Sequence, residues 1–369
     1  MTTAWTGDHL RRIEAAAVSR LPVYAPTDYA RPLPELYYWD MWAVQGRDGR
    51  IADVAGRELW MALTAPDRGD PSRRHFEAKI RLLERRGDRW ADLGPVLPDG
   101  DVPYQREWAG SAVWDGGRLE LYFTGAGLAD KPGGYQQALY EAFAASSPDG
   151  LPVGWTRPRR ILADPGPDYM PADDHEGEAG KIKAYRDPAY FRDPVDGSEY
   201  LAFTASLAGG RHEYNGAFGL ARKVDGEWRL LPPPIHALGT NNELERAHIV
   251  FHDSRYYAFW VTQRSTFAPG VDAGPNGLYG MVSEDIAGPY RPLNGSALVL
   301  ANPVAEPHQA YSWFVTGELL VSSFVDFAGL GCAAPPGDPG LQNAHFVGAP
   351  APLAKLWIDG DTCRLAGEA

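Results

Sequence analysis

Tyr38-Trp39-Asp40-Met41-Trp42-Ala43-Val44 leads through the polar turn Arg47-Asp48-Gly49 into the apolar run Leu59-Trp60-Met61-Ala62-Leu63. The same order of parts returns along the chain. Glu107-Trp108-Ala109-Gly110-Ser111-Ala112-Val113 passes Asp115-Gly116-Gly117 into Leu119-Glu120-Leu121-Tyr122-Phe123-Thr124. Arg186-Asp187-Pro188-Ala189-Tyr190-Phe191 passes Asp196-Gly197 into Tyr200-Leu201-Ala202-Phe203-Thr204. Glu245-Arg246-Ala247-His248-Ile249-Val250 crosses Asp253-Ser254 into Tyr256-Tyr257-Ala258-Phe259-Trp260-Val261, and Tyr311-Ser312-Trp313-Phe314-Val315 crosses Thr316-Gly317 into Leu319-Leu320-Val321-Ser322. Each unit is a polar or aromatic strand start, a tight turn and a buried strand. Turns of this kind between β-rich runs are hairpin signals. Hairpins recurring every few tens of residues predict an all-β fold, a five-bladed β-propeller, with blades packed around an axis. A β-sandwich is the alternative, but it does not explain why unusual residues recur at one place in each unit.

In a propeller the innermost strands line an axial funnel, so corresponding positions converge. The unit starts at Asp40, Glu107, Asp187, Glu245 and Tyr311 therefore bring Trp39-Asp40, Glu107-Trp108, Arg186-Asp187, Glu243 with Glu245-Arg246, and Tyr311 into one small space. The whole chain, 1–369, reads as one catalytic domain, with 1–35 as a helical lead-in and 328–369 as a closing segment. The helical candidate is Thr6 to Ser19, with Leu10, Ile13 and Val18 on a loosely apolar face; shorter helical turns are expected near Gly134 to Ala145.

Composition narrows the class of partner. The net charge of −13 argues against nucleic acid or an anionic membrane and suits a neutral small-molecule ligand. No apolar run is long enough to span a bilayer. Charged residues interrupt Met1 to Arg20 too often for a signal peptide, so a cytoplasmic location is expected. Cys332 and Cys363 form no metal spacing and no disulfide framework, and free thiols are expected. Oligomeric state is left open.

Several carboxylates in an aromatic-walled cavity suit glycoside chemistry. A retaining glycosidase needs one carboxylate as nucleophile and a protonated second one to give its proton to the leaving oxygen. Crowding and burial raise the pKa of one acid, and a nearby arginine holds another ionised. Arg186 and Arg246 are the candidate tuning charges, although neighbours on a strand face opposite ways.

With these motifs in place, the sequence resembles glycoside hydrolase family 68, the levansucrase, inulosucrase and β-fructofuranosidase group, from Trp5-Thr6 to about Phe327. The segments that carry the resemblance are Trp39-Asp40-Met41-Trp42, Glu107-Trp108-Ala109-Gly110-Ser111-Ala112, Arg186-Asp187-Pro188, Glu243-Leu244-Glu245-Arg246-Ala247 and Ala287-Gly288-Pro289-Tyr290-Arg291-Pro292-Leu293-Asn294. The resemblance implies that Asp40 attacks the anomeric carbon, that Glu245 is acid and then base, and that Asp187 binds sugar hydroxyls and stabilises the transition state. It also implies that Trp39 and Trp108 wall the furanosyl pocket. Arg186, Glu243, Arg246, Arg264 and Tyr311 would bind hydroxyls or orient the acids. Substrates would be sucrose or a related ketohexofuranoside.

Four positions depart from the family pattern. Met41 and Ala43 stand where Ser or Thr and Pro are usual, and Ala109 where a serine is common. Asn242 replaces a carboxylate that often precedes the acid/base pair, so the calcium site of some relatives is not clearly kept. No cofactor is expected, and a bound nucleotide is left open.

Each candidate also has a plainer reading. Arg186-Asp187-Pro188 alone would suit a structural ion pair, one of Glu243 and Glu245 a structural role, and Trp108 and Tyr311 core packing. Asp173 to Glu178 fits a solvated loop better than a metal site, and His248 and His308 fit core or rim positions. The main functional alternative is a tailoring enzyme on the same scaffold, modifying a ketohexofuranosyl nucleoside or similar glycoside by elimination. A non-catalytic sugar-binding propeller comes third.

Overall fold

The computed structural model describes residues 2–129, 134–172, 182–209, 213–335 and 337–368, and the acidic stretch Asp173 to Glu178 lies outside them. Strands dominate, and all of the quoted hairpins form. Leu36–Gln45 pairs antiparallel with Arg57–Pro66, Tyr104–Trp114 with Arg118–Leu128, and Tyr185–Arg192 with Glu199–Ser206. Glu245–His252 pairs with Arg255–Thr262, and Ala310–Val315 with Leu320–Phe327. Further antiparallel strands extend each sheet outward. The first strands touch in order, and the Ala310–Val315 strand returns to Leu36–Gln45, which closes a ring. The fold is all-β and propeller-like.

Polar side chains sew one sheet to the next around this ring. The Ser111 hydroxyl donates to the Pro188 carbonyl at 2.9 Å and accepts from the Tyr190 N–H at 2.9 Å. Thr124 accepts from the Asp187 N–H at 2.7 Å, and Thr204 accepts from the Arg246 N–H at 2.9 Å. Both threonines close the apolar runs Tyr122-Phe123-Thr124 and Phe203-Thr204, so one device serves two junctions. Aromatic rings fill the space between sheets, as where Tyr122 stacks on Tyr190 at 5.8 Å.

Two helical expectations are corrected. Over Thr6 to Ser19 only Gly7–Leu10 is α-helical, with a separate 3-10 turn at Ala15–Ala17. The lead-in is instead fastened as structure on a sheet edge. Thr3–Ala4 pairs in parallel with Ile235 and His236, and Trp5 is fully buried against Trp260, Phe267 and Tyr279. Near Gly134 to Ala145 the chain forms the strand Gln137–Ser146, because pairing along Arg118–Leu128 outweighs the helix preference of its alanines. The closing segment completes the last sheet: Phe346–Pro350 and Ala354–Asp359 both pair with Leu320–Phe327. Among the described residues no helix is long and apolar enough to cross a membrane.

Every first strand is interrupted by a bulge at its entry to the ring, and these bulges set the true register of the repeat. Pairing slips between Trp39 and Met41, Trp108 and Gly110, Arg186 and Ala189, Glu245 and His248, and Tyr311 and Phe314. Asp40, Asp187, Arg246 and Ser312 stand in the slips with φ of 26°, 59°, 51° and 60°, a left-handed backbone costly for residues other than glycine. The equivalents of Asp40 are thus Ala109, Asp187, Arg246 and Ser312. Alignment on Glu107, Glu245 and Tyr311 was offset by two, one and one residues.

Candidate active site

A cavity of about 330 Å³ opens inside the ring at these bulges. Asp40, Asp187 and Glu245 line it, with Trp39, Trp108, Arg186, Glu243, Arg246 and Tyr311. A bulge explains how adjacent residues such as Arg186 and Asp187 reach one cavity, since a regular strand would send them to opposite faces. Two residues expected here lie elsewhere. Glu107 is buried behind the wall, accepting from the Ile80 N–H at 2.8 Å and from Lys79 at 3.1 Å. Arg264 is exposed and donates to the Ala273 carbonyl at 2.7 Å, while its neighbour Gln263 faces the cavity.

Arg186 is the hub. Its guanidinium lies 2.7 Å from Glu245, 3.3 Å from Glu243 and 3.4 Å from Asp187. Its Nη1 is buried and has no partner among the described residues, which leaves a donor for a bound hydroxyl. Tyr311 donates to the other oxygen of Glu245. Asp187 accepts from the Thr204 hydroxyl at 2.8 Å. Arg246 donates to Ser312 at 3.0 Å and to the Met41 carbonyl at 3.1 Å, and Ser312 in turn bonds Asp40.

Electrostatics follow from crowding acids into a poorly solvated space. Burial raises the Asp40 carboxyl, against the pull of Arg246 and the Ser312 hydroxyl. Burial pushes Asp187 up to about 6, with Arg186 opposing. Glu243 is driven well above the usual carboxylate range by burial and then by Glu245, to which it is hydrogen-bonded. Glu243 therefore keeps its proton near neutral pH, beside Glu245.

The cavity wall also contains residues that the repeat did not flag. Arg74 and His75 come from the 3-10 turn Pro71–Phe76, started by Asp70, which accepts from the Ser72 N–H at 3.0 Å. The backbone carbonyl of His75 receives the Trp108 indole N–H at 3.1 Å. Asp326 faces the cavity from the strand Leu320–Phe327, and burial pushes it up to about 7. Ser312 was within a quoted unit and is the positional equivalent of Asp40. An alignment of that unit on Tyr311 leaves it one residue out of register.

Comparison with known proteins agrees with this arrangement. The levansucrase/invertase family model of glycoside hydrolases matches residues 1–219 and 213–330. The chain belongs to this family. It is 32% identical to a levansucrase of Erwinia amylovora, over 97% of this chain and 93% of that protein. It is 31% identical to a levansucrase of Pseudomonas savastanoi pv. glycinea, with the same coverage. The inulosucrase of Halalkalicoccus jeotgali, solved with kestose bound, superposes with a TM-score of 0.90 at 36% identity, covering 100% of this chain and 96% of that one. Members of the levansucrase/invertase family are glycoside hydrolases and fructosyltransferases.

Two departures from the family pattern look different in three dimensions. The Met41 side chain is buried with Tyr38, Trp60 and Leu83, so only its carbonyl contributes to the site, through Arg246. Ala109 is also buried and offers its carbonyl to Thr124 at 3.1 Å. The hydroxyl beside Asp40 comes from Ser312 instead.

Proposed function

We propose that this chain is a retaining β-fructofuranosyl hydrolase and transferase acting on sucrose, built as a single five-bladed catalytic unit over 1–369. The observation that carries the reading is the convergence of Asp40, Asp187 and Glu245, from three separate strands, on one cavity around Arg186.

In the first step a carboxylate oxygen of Asp40 bonds to the anomeric carbon of the fructosyl group. The bond from that carbon to the bridging oxygen breaks, and the departing oxygen takes a proton from Glu245. Glu243 lies beside Glu245 and holds the proton reserve, and Tyr311 fixes the orientation of Glu245. Asp187 and Nη1 of Arg186 bind sugar hydroxyls, and the negative charge of Asp187 favours the oxocarbenium-like transition state. Trp39 and Trp108 wall the ring. In the second step Glu245 removes a proton from water or a sugar hydroxyl, that oxygen bonds to the anomeric carbon, and Asp40 departs.

The levansucrase and inulosucrase relatives match nearly their whole length, which favours glycosyl transfer over the elimination alternative. Incubation with sucrose tests the reading: released glucose measures total turnover, and free fructose measures the share captured by water. Glucose release is expected. A folded protein that frees no glucose from sucrose would overturn the assignment.

A further inference from the structure

Lys183 is buried, and among the described residues its ammonium group donates to three oxygens. These are Oδ1 of Asn215 at 2.7 Å, Oδ1 of Asn242 at 3.1 Å and the main-chain carbonyl of Glu213. An ammonium has three N–H donors and no acceptor, so the cage matches the charged form donor for donor. Both amides are held in the necessary orientation. Asn242 Nδ2 donates to the Ile182 carbonyl at 2.7 Å, and Asn215 Nδ2 to the Leu207 carbonyl at 2.7 Å, which turns each Oδ1 toward the lysine.

Side-chain amide oxygens and a main-chain carbonyl are also ligands that a hard divalent cation takes. Here the chain fills the position with its own cation. Calcium placed in this cage would meet a buried ammonium at contact distance, and none of the three oxygens is a carboxylate; the negative charges of Glu213 and Glu243 act on the lysine from outside the cage. The residues present do not fit the ion. Asn242, the departure from the family pattern, is one of the three oxygens that hold Lys183.

We propose that Lys183 is a built-in cation that stands where some relatives carry calcium, so that fold and turnover in this chain are independent of that metal. The clip joins the approaches to three strands: Lys183 lies just ahead of Tyr185–Arg192, Asn215 ahead of Gly216–Val224, and Asn242 ahead of Glu245–His252. Two of those strands bring Arg186, Asp187 and Glu245 into the cavity. A covalently tethered cation cannot be lost to a chelator, whereas a bound ion can.

The test is thermal unfolding of the native chain before and after EDTA treatment, then with calcium chloride added in excess. The expected result is a Tm constant to within about 1 °C throughout. A Tm that falls on chelation and recovers with calcium overturns the proposal, because a bound ligand raises the stability of the folded state. Lys183→Met supplies the second arm. It keeps an unbranched side chain and removes the three donors, leaving buried oxygens unpaired, and its Tm should fall by about 3 °C or more. An unchanged Tm in Lys183→Met also overturns the proposal. If that variant does not fold, the chelation experiment on the native chain still decides.

Discussion

The guanidinium of Arg186 lies 2.7 Å from Glu245 while also reaching Asp187, its own neighbour in sequence, at 3.4 Å. One cation therefore holds the proposed acid/base and the proposed stabiliser in a common frame. Lysine offers a point charge on a flexible stem and cannot reproduce this planar fork. Arg186→Lys should lower kcat for sucrose on the order of 10²-fold, comparable to losing one oriented donor in other enzymes. Steady-state glucose release checks this, and a change smaller than threefold would remove Arg186 from its role.

Acid pH should switch the enzyme off earlier than an ordinary carboxylate would. Asp40 and Asp187 must both be ionised, and burial raises both, Asp187 to about 6. The acid limb of kcat/KM should therefore fall below pH of about 6. A profile flat down to pH 4 would contradict this account of the cavity.

The same shift has a consequence for stability. The folded-state pKa of Asp187 lies above its usual 3.8, so the folded chain binds this proton more tightly than the unfolded chain does. Its contribution to stability is fully present below 3.8 and is lost as pH rises through about 6. Asp187→Asn should abolish activity yet raise Tm at pH 7.5 by about 2 °C, with a smaller gain at pH 4. Differential scanning calorimetry at the two pH values decides, and a lower Tm at both would contradict the sign.

Much of the fold and site was legible because a repeat repeats its chemistry. Trp39-Asp40, Arg186-Asp187 and Glu245-Arg246 stood at unit starts, and all six residues line the cavity. What could not be read was the phase within one or two residues. A bulge is a backbone event that leaves no fixed residue type, and it is occupied here by Asp40, Ala109, Asp187, Arg246 and Ser312 in turn. That ambiguity put Glu107 inside the funnel and hid Ser312. Arg74, His75 and Asp326 lie on connections or late in a strand, where the repeat gives no alignment. The lead-in helix is shorter than its pattern predicts for another reason: Trp5 and Leu10 are buried by docking on a sheet, which helical periodicity cannot register.

The bulge beside Trp108 also makes a stability prediction. A Cβ on Gly110 would sit 1.9 Å from the Tyr122 carbonyl oxygen, whereas one on Gly117 would meet nothing within 4 Å. Gly110→Ala should destabilise the fold by about 3 kcal/mol or more, and Gly117→Ala should be near neutral. Urea unfolding of the two variants gives the comparison. Equal midpoints would place the bulge elsewhere.

The central claim is that Asp40 forms a covalent fructosyl-enzyme with Glu245 serving as acid and base. Glu245→Gln cannot activate water, so the second step should slow while the cavity stays intact, and an activated fructosyl donor with a good leaving group bypasses the missing acid. Rapid acid quench followed by peptide mass spectrometry of this variant reads the outcome directly. The account predicts the mass of one fructosyl residue on the peptide carrying Asp40, and no adduct in the Asp40→Asn/Glu245→Gln double variant. A donor that is consumed with no adduct on Asp40, or with the label on Asp187, would contradict it.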